Sequence, residues 1–173
     1  NKINLLFVGR LEPVKSPDLL LQVFNQLYQK NHSVRLVFVG DGSLRYSLEE
    51  EVASLGLEDV VLFKGRLVGD ELYAWYNVAH VFALPSNFEP FGAVVNEALV
   101  AGCYTVVSDC AGASALINNG NGYVFKSGDI DSLLFGVQKG VDNCVPFHKR
   151  GSRMEESFDD YYRMLSNVLM SSN

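Results

Sequence analysis

A chain of 173 residues with 48% hydrophobic residues can bury the core of one domain, which excludes a disordered segment. Its formal charge of −6 gives no basic surface of the kind that holds nucleic acid. No apolar run reaches membrane-spanning length, no signal peptide opens the chain, and the 3 cysteines (Cys103, Cys110, Cys144) are not spaced as metal ligands and read as free thiols of a reducing compartment.

In chain order, the continuous apolar run Ile3–Val8, ended by Gly9, is a strand buried on both faces. Ser16 is the expected cap of a helix with Pro17 at its first position and Leu19, Leu20, Val23, Phe24 and Leu27 as its buried stripe. A second strand, Val34–Val39, ends at Gly40-Asp41-Gly42, and residues 44–55 form a helix whose run of three glutamates is a solvated face. Residues 60–63 are a third strand followed by Gly65-Arg66-Leu67, residues 70–76 a helix, and residues 80–84 a fourth strand. A loop carrying Glu89 then leads to a helix expected to start near Phe91, with Pro90 at its head and Val94, Val95, Ala98, Leu99 and Ala101 as its apolar face. Strands at 104–107 and 123–125, a helix at 129–140, an irregular stretch at 141–151 and a last helix at 153–170 complete the pattern.

Apolar strands alternating with helices specify an α/β fold: a doubly wound, Rossmann-like parallel sheet of six strands in the order 3-2-1-4-5-6, with helices on both faces. Ligands of such folds bind at the carboxyl edge where strand order reverses, here between strands 1 and 4. Strand 1 delivers Gly9, Arg10 and Lys15, and strand 4 delivers Glu89 and a helix N-terminus, which favours phosphate. Gly92 lets a ligand approach that backbone, and Arg10 with Lys15 across the crevice would clamp a diphosphate. Glu97, roughly two turns into the helix, would lie about 7–8 Å beyond the N-terminal amides, the span from a nucleotide's phosphate to its ribose hydroxyls.

The string Glu89-Pro90-Phe91-Gly92-Ala93-Val94-Val95-Asn96-Glu97, with Pro85-Ser86 before it and Ala98-Leu99-Val100-Ala101-Gly102 after it, resembles the Glu-x7-Glu motif of the retaining GT-B glycosyltransferases of family 4. The resemblance covers nearly the whole chain and implies one domain over 1–173: the C-terminal, donor-binding half of a GT-B fold, with the N-terminal acceptor half absent. It implies no cofactor and no metal, the donor being a UDP-, GDP- or ADP-sugar and the acceptor a sugar or lipid-linked sugar held by the missing half. By the same resemblance Gly9, Arg10 and Lys15 hold the diphosphate, and Gly65, Arg66 and Leu67 line the base pocket. Glu89, Pro90, Phe91, Gly92, Ala93 and Val94 address donor sugar and phosphate, and Glu97 binds the ribose. Arg10, Lys15 and Glu89 are the expected catalytic residues, acting on a transfer that retains anomeric configuration. The implied setting is polysaccharide or lipopolysaccharide synthesis in the cytoplasm, with peripheral association of the full-length protein at the inner membrane face left open.

Two departures stand out: Tyr104 replaces the usual proline, and Ala111-Gly112-Ala113-Ser114-Ala115 lacks the glutamate common after strand 5. A catalytically inactive nucleotide-sugar-binding or interaction module therefore stays open, as does an epimerase on the same scaffold; a phosphorylase would need a pyridoxal phosphate lysine that the sequence does not place. Asp129-Ile130-Asp131 matches an Asp-x-Asp metal motif but reads as a helix cap with an acidic first turn. Gly40-x-Gly42 lacks the third glycine of a dinucleotide fingerprint, since Arg45 stands there.

Overall fold

The apolar runs become strands that bury both faces, and side-chain alternation divides the core between them. In the computed structural model, which describes residues 2–145 and 151–153, the strands are β1 (Ile3–Val8), β2 (Val34–Val39), β3 (Val61–Phe63), β4 (Val81–Leu84), β5 (Tyr104–Ser108) and β6 (Gly122–Phe125). They form one sheet in the order β3-β2-β1-β4-β5-β6, every neighbouring pair parallel, as the sequence pattern requires. Leu5, Phe7, Leu36 and Phe38 face one layer with α1 (Pro17–Lys30), α2 (Arg45–Ser54) and α5 (Ile130–Asp142). Leu6, Val8, Val37 and Val39 face the other, with α3 (Gly69–Val78) and α4 (Ala93–Val100). The period of two along each strand thus loads both layers.

The structure corrects several boundaries. The motif helix begins at Ala93, not near Phe91, because Gly92 takes a left-handed conformation (φ 74) just before it. Pro90 therefore lies in the loop, and Glu97 sits in the second turn, about 6 Å along the axis from Ala93. Ser16 precedes α1 but does not cap it with its side chain; it is itself left-handed (φ 48), and its hydroxyl donates to the Pro13 carbonyl (3.4 Å). Helix α5 runs to Asp142, past Gly140. Asp129 caps α5 by accepting from the Ser132 N–H (2.9 Å), so the helix-cap reading of Asp129-Ile130-Asp131 holds. Beyond Arg153 the expected last helix lies outside the described residues. Arg153 itself closes off the end of α4, donating to the carbonyls of Leu99 (2.8 Å), Gly102 (3.1 Å) and Gly120 (3.0 Å).

Candidate functional site

The loop after β1 is fixed to the loop after β2 by its backbone. Leu11 is fully buried, its N–H donates to the Asp41 carbonyl (3.0 Å), and its carbonyl accepts from the Leu44 N–H (2.9 Å). Gly40 permits this approach: at φ 139 a Cβ there would lie 1.8 Å from the Gly9 oxygen. The Gly40-x-Gly42 pair thus has a packing explanation. With Leu11 fixed, Arg10 and Lys15 fall on either side of it. A 3-10 turn at Pro13–Lys15 carries the lysine toward β4, while Glu12 is held by the Ser43 hydroxyl (2.6 Å) and N–H (3.0 Å), which keep its carboxyl below the ordinary range.

At the reversal between β1 and β4 the two loops meet. The Asn87 N–H donates to the Val14 carbonyl (2.9 Å), and Lys15 Nζ forms an ion pair with Glu89 Oε2. Glu89 Oε1 accepts from the Gly92 N–H (3.2 Å). Burial raises the Glu89 pKa, but the Lys15 ammonium and the Gly92 and Phe91 amides outweigh it, so the carboxyl stays below its usual range. Glu89 is therefore ionised at neutral pH, an acceptor and a fixed negative charge rather than an acid. Its backbone is held from the other side as well, by bonds to the Cys110 carbonyl (3.2 Å) and from the Gly112 N–H (2.8 Å). Gly112 was not legible as a site residue, yet a Cβ there would meet the Pro90 oxygen at 2.1 Å.

The remaining expected residues divide into two groups. Gly9, Arg10, Arg66 and Leu67 line a pocket of about 300 Å³ with Asp41 at the mouths of β1, β2 and β3, and the Gly65 carbonyl accepts from the Gly40 N–H (2.7 Å). Glu97 instead lies in a groove between α3 and α4, of about 390 Å³, with Tyr73, Tyr76, Asn77, Val100 and Ala101. Of the two cations expected to clamp a diphosphate, Lys15 is paired with Glu89, and Arg10 lines the pocket with Arg66. Pro90, Phe91 and Ala93 are exposed along the rim, whereas Val94 packs inward on the α4 side of the sheet. Tyr76 is core, while Tyr73 is 52% exposed. Cys103 is buried, and Cys110 is an exposed thiol beside the Glu89 loop.

The family model of glycosyl transferases group 1 matches residues 1–154. The chain belongs to the group 1 glycosyl transferases. Among similar proteins, an uncharacterized glycosyltransferase of Methanocaldococcus jannaschii is 36% identical over 136 residues, 78% of this chain and 35% of that protein. The mannosylfructose-phosphate synthase of Agrobacterium fabrum is 35% identical over 128 residues, 69% of this chain and 28% of that one. The chain thus spans about a third of the length of these curated relatives. Anabaena HepE, solved in complex with UDP and glucose, superposes with a TM-score of 0.74 at 25% identity, over 83% of this chain and 40% of that one. Among the described residues of this group 1 transferase, no helix is long and apolar enough to cross a membrane.

Proposed function

We propose that this chain binds a nucleoside-diphosphate sugar along the carboxyl edge and supplies the donor half of a retaining glycosyl transfer. The observation that carries the reading is the meeting of the β1 and β4 loops, where Lys15, the Glu89 carboxylate and the Gly92 N–H sit together at the start of α4. An ammonium has three N–H donors, so Lys15 can keep Glu89 and still donate to a phosphate. The first-turn amides of α4 lack intrahelical acceptors and add a positive dipole end. Arg10 supports the same diphosphate from the β2 side. Together these groups oppose the charge that builds on the departing nucleoside diphosphate, the task a divalent metal performs in other transferases.

Glu89, held ionised, accepts hydrogen bonds from donor-sugar hydroxyls and stabilises the positive charge that develops at the anomeric carbon. Glu97 takes the ribose hydroxyls, and the Gly65–Leu67 segment takes the base. UDP is the first donor to test, since HepE was solved with UDP and glucose. The relatives are about three times as long, which supports an acceptor site outside this chain. The chain alone is then expected to bind donor and transfer little sugar. Cytoplasmic synthesis of a polysaccharide or lipopolysaccharide is the proposed setting, on the motif resemblance alone.

Calorimetric titration of the chain with UDP, GDP and ADP, then with glucose and mannose conjugates of the best binder, tests this. Binding weakened by Arg10→Ala and Glu97→Gln supports it, and no binding of any of them at millimolar concentration sinks it. The absence of a carboxylate from residues 111–115 favours, as a second reading, a binding module without turnover. Glu97→Gln in a full-length protein separates the two, since only an enzyme loses turnover.

A further inference from the structure

Two buried polar atoms in the groove between α3 and α4 lack a well-aligned hydrogen bond. Tyr76 is 1% exposed, and its Oη lies near enough to the Glu97 carboxylate to be influenced by it, yet neither this hydroxyl nor the buried Glu97 Oε2 in the same groove has a well-formed hydrogen bond. An unmet buried hydroxyl is a standing cost to a fold. A ring needed only for packing would do as well as phenylalanine. This ring is firmly held: it packs on Phe82 with centroids 5.9 Å apart, and the Tyr76 carbonyl accepts from the Cys103 thiol (3.3 Å). Burial, and after it the negative charge of Glu97, raise the hydroxyl's pKa, so it remains a donor at any working pH.

We propose that Tyr76 is a positioning residue of the donor site, donating from Oη to Glu97 Oε2 so that the other carboxylate oxygen is aimed at a ribose diol. The proposal rests on the reading of Glu97 as the ribose acceptor. A ribose held by the other carboxylate oxygen would fix Glu97 in the orientation that aligns this bond.

The test is a double-mutant cycle read as a ratio of dissociation constants, taken for UDP against 2′-deoxy-UDP, with GDP and ADP and their deoxy forms as parallel probes. The ratio does not depend on the folded fraction, and thermal melts accompany it. Wild type is expected to favour the ribose form by about tenfold, the worth of a hydrogen bond to a charged group. Glu97→Gln should remove the preference and Tyr76→Phe should cut it at least about threefold, with the double variant no worse than Glu97→Gln alone. Tyr76→Phe should melt no lower than wild type, because it deletes an unsatisfied hydroxyl. If Glu97→Gln abolishes the preference while Tyr76→Phe leaves it intact, the positioning role is overturned and the ribose reading survives. Equal weakening of both ligands by Tyr76→Phe, with a lower melting temperature, would likewise reduce Tyr76 to packing. If wild type has no preference, or Glu97→Gln leaves it unchanged, the ribose reading falls and takes the positioning role with it.

Discussion

Replacing Lys15 with methionine keeps most of the aliphatic stem and removes the charge that faces Glu89. The two side chains are 13% and 17% exposed, between the surface and buried limits. Exposed pairs are worth about 0–1 kcal/mol, and breaking a fully buried pair costs about 3–5 kcal/mol. The expected loss is therefore about 2 kcal/mol at pH 7, or about 4–8 °C in melting temperature for a domain of this size. Its pH dependence has a definite sign. The Glu89 pKa is lowered in the folded state: burial opposes the shift, and Lys15 with the loop amides overcomes it. A lowered folded value stabilises above the unfolded pKa, about 4.3, and the contribution is lost as pH falls through the folded value. Melting curves of both proteins, followed by circular dichroism from neutral pH down to about pH 3, should converge on the acid side. A gap of constant size across that range would mean that the lysine stem, not the ion pair, carries the effect.

Gly40→Ala puts a Cβ 1.8 Å from the Gly9 oxygen at a strained φ, so a loss of about 3 kcal/mol or more should show as a lower urea midpoint. Gly112→Ala drives a methyl into the Pro90 oxygen and should both destabilise by about 1–3 kcal/mol and weaken binding of a nucleoside-diphosphate sugar; calorimetry showing undiminished affinity would break the link between that loop and Glu89. Asp129→Ala removes the cap on the Ser132 N–H and should cost about 1 kcal/mol in chemical denaturation while leaving donor affinity unchanged. A fall in affinity there would return the Asp-x-Asp string to consideration.

Strand order was legible because each strand carries a near-continuous apolar run and each helix a stripe, and parallel pairing follows from their alternation. The head of α4 was not, because proline at a first helical position is a strong local signal and here Gly92, at φ 74, overrides it. The meeting of Lys15 with Glu89 could be anticipated from topology. That Arg10 would line the pocket with Arg66 while Lys15 pairs with Glu89 could not, because it depends on Leu11 being drawn into the core and on the 3-10 turn that follows. Spacing along a loop says nothing about which of its residues will be an anchor. That the Tyr76 hydroxyl would lie near Glu97 was not legible, because it is set by how two helices from different crossovers pack.

Lys15 and Glu89 stand 74 positions apart, and the central strand β1 gains its second neighbour only when β4 arrives. During synthesis β1 and β2 can pair early, but the other side of β1 keeps a row of unpaired amides and carbonyls until residues near Val81 have emerged. A growing chain therefore carries an open seam beside β1 until β4 has emerged, and products that stop short of β4 are the ones that should clump. Closing that seam and assembling the anion-facing loops are a single event, so ligand capture would report on the docking of β4 as faithfully as any folding probe.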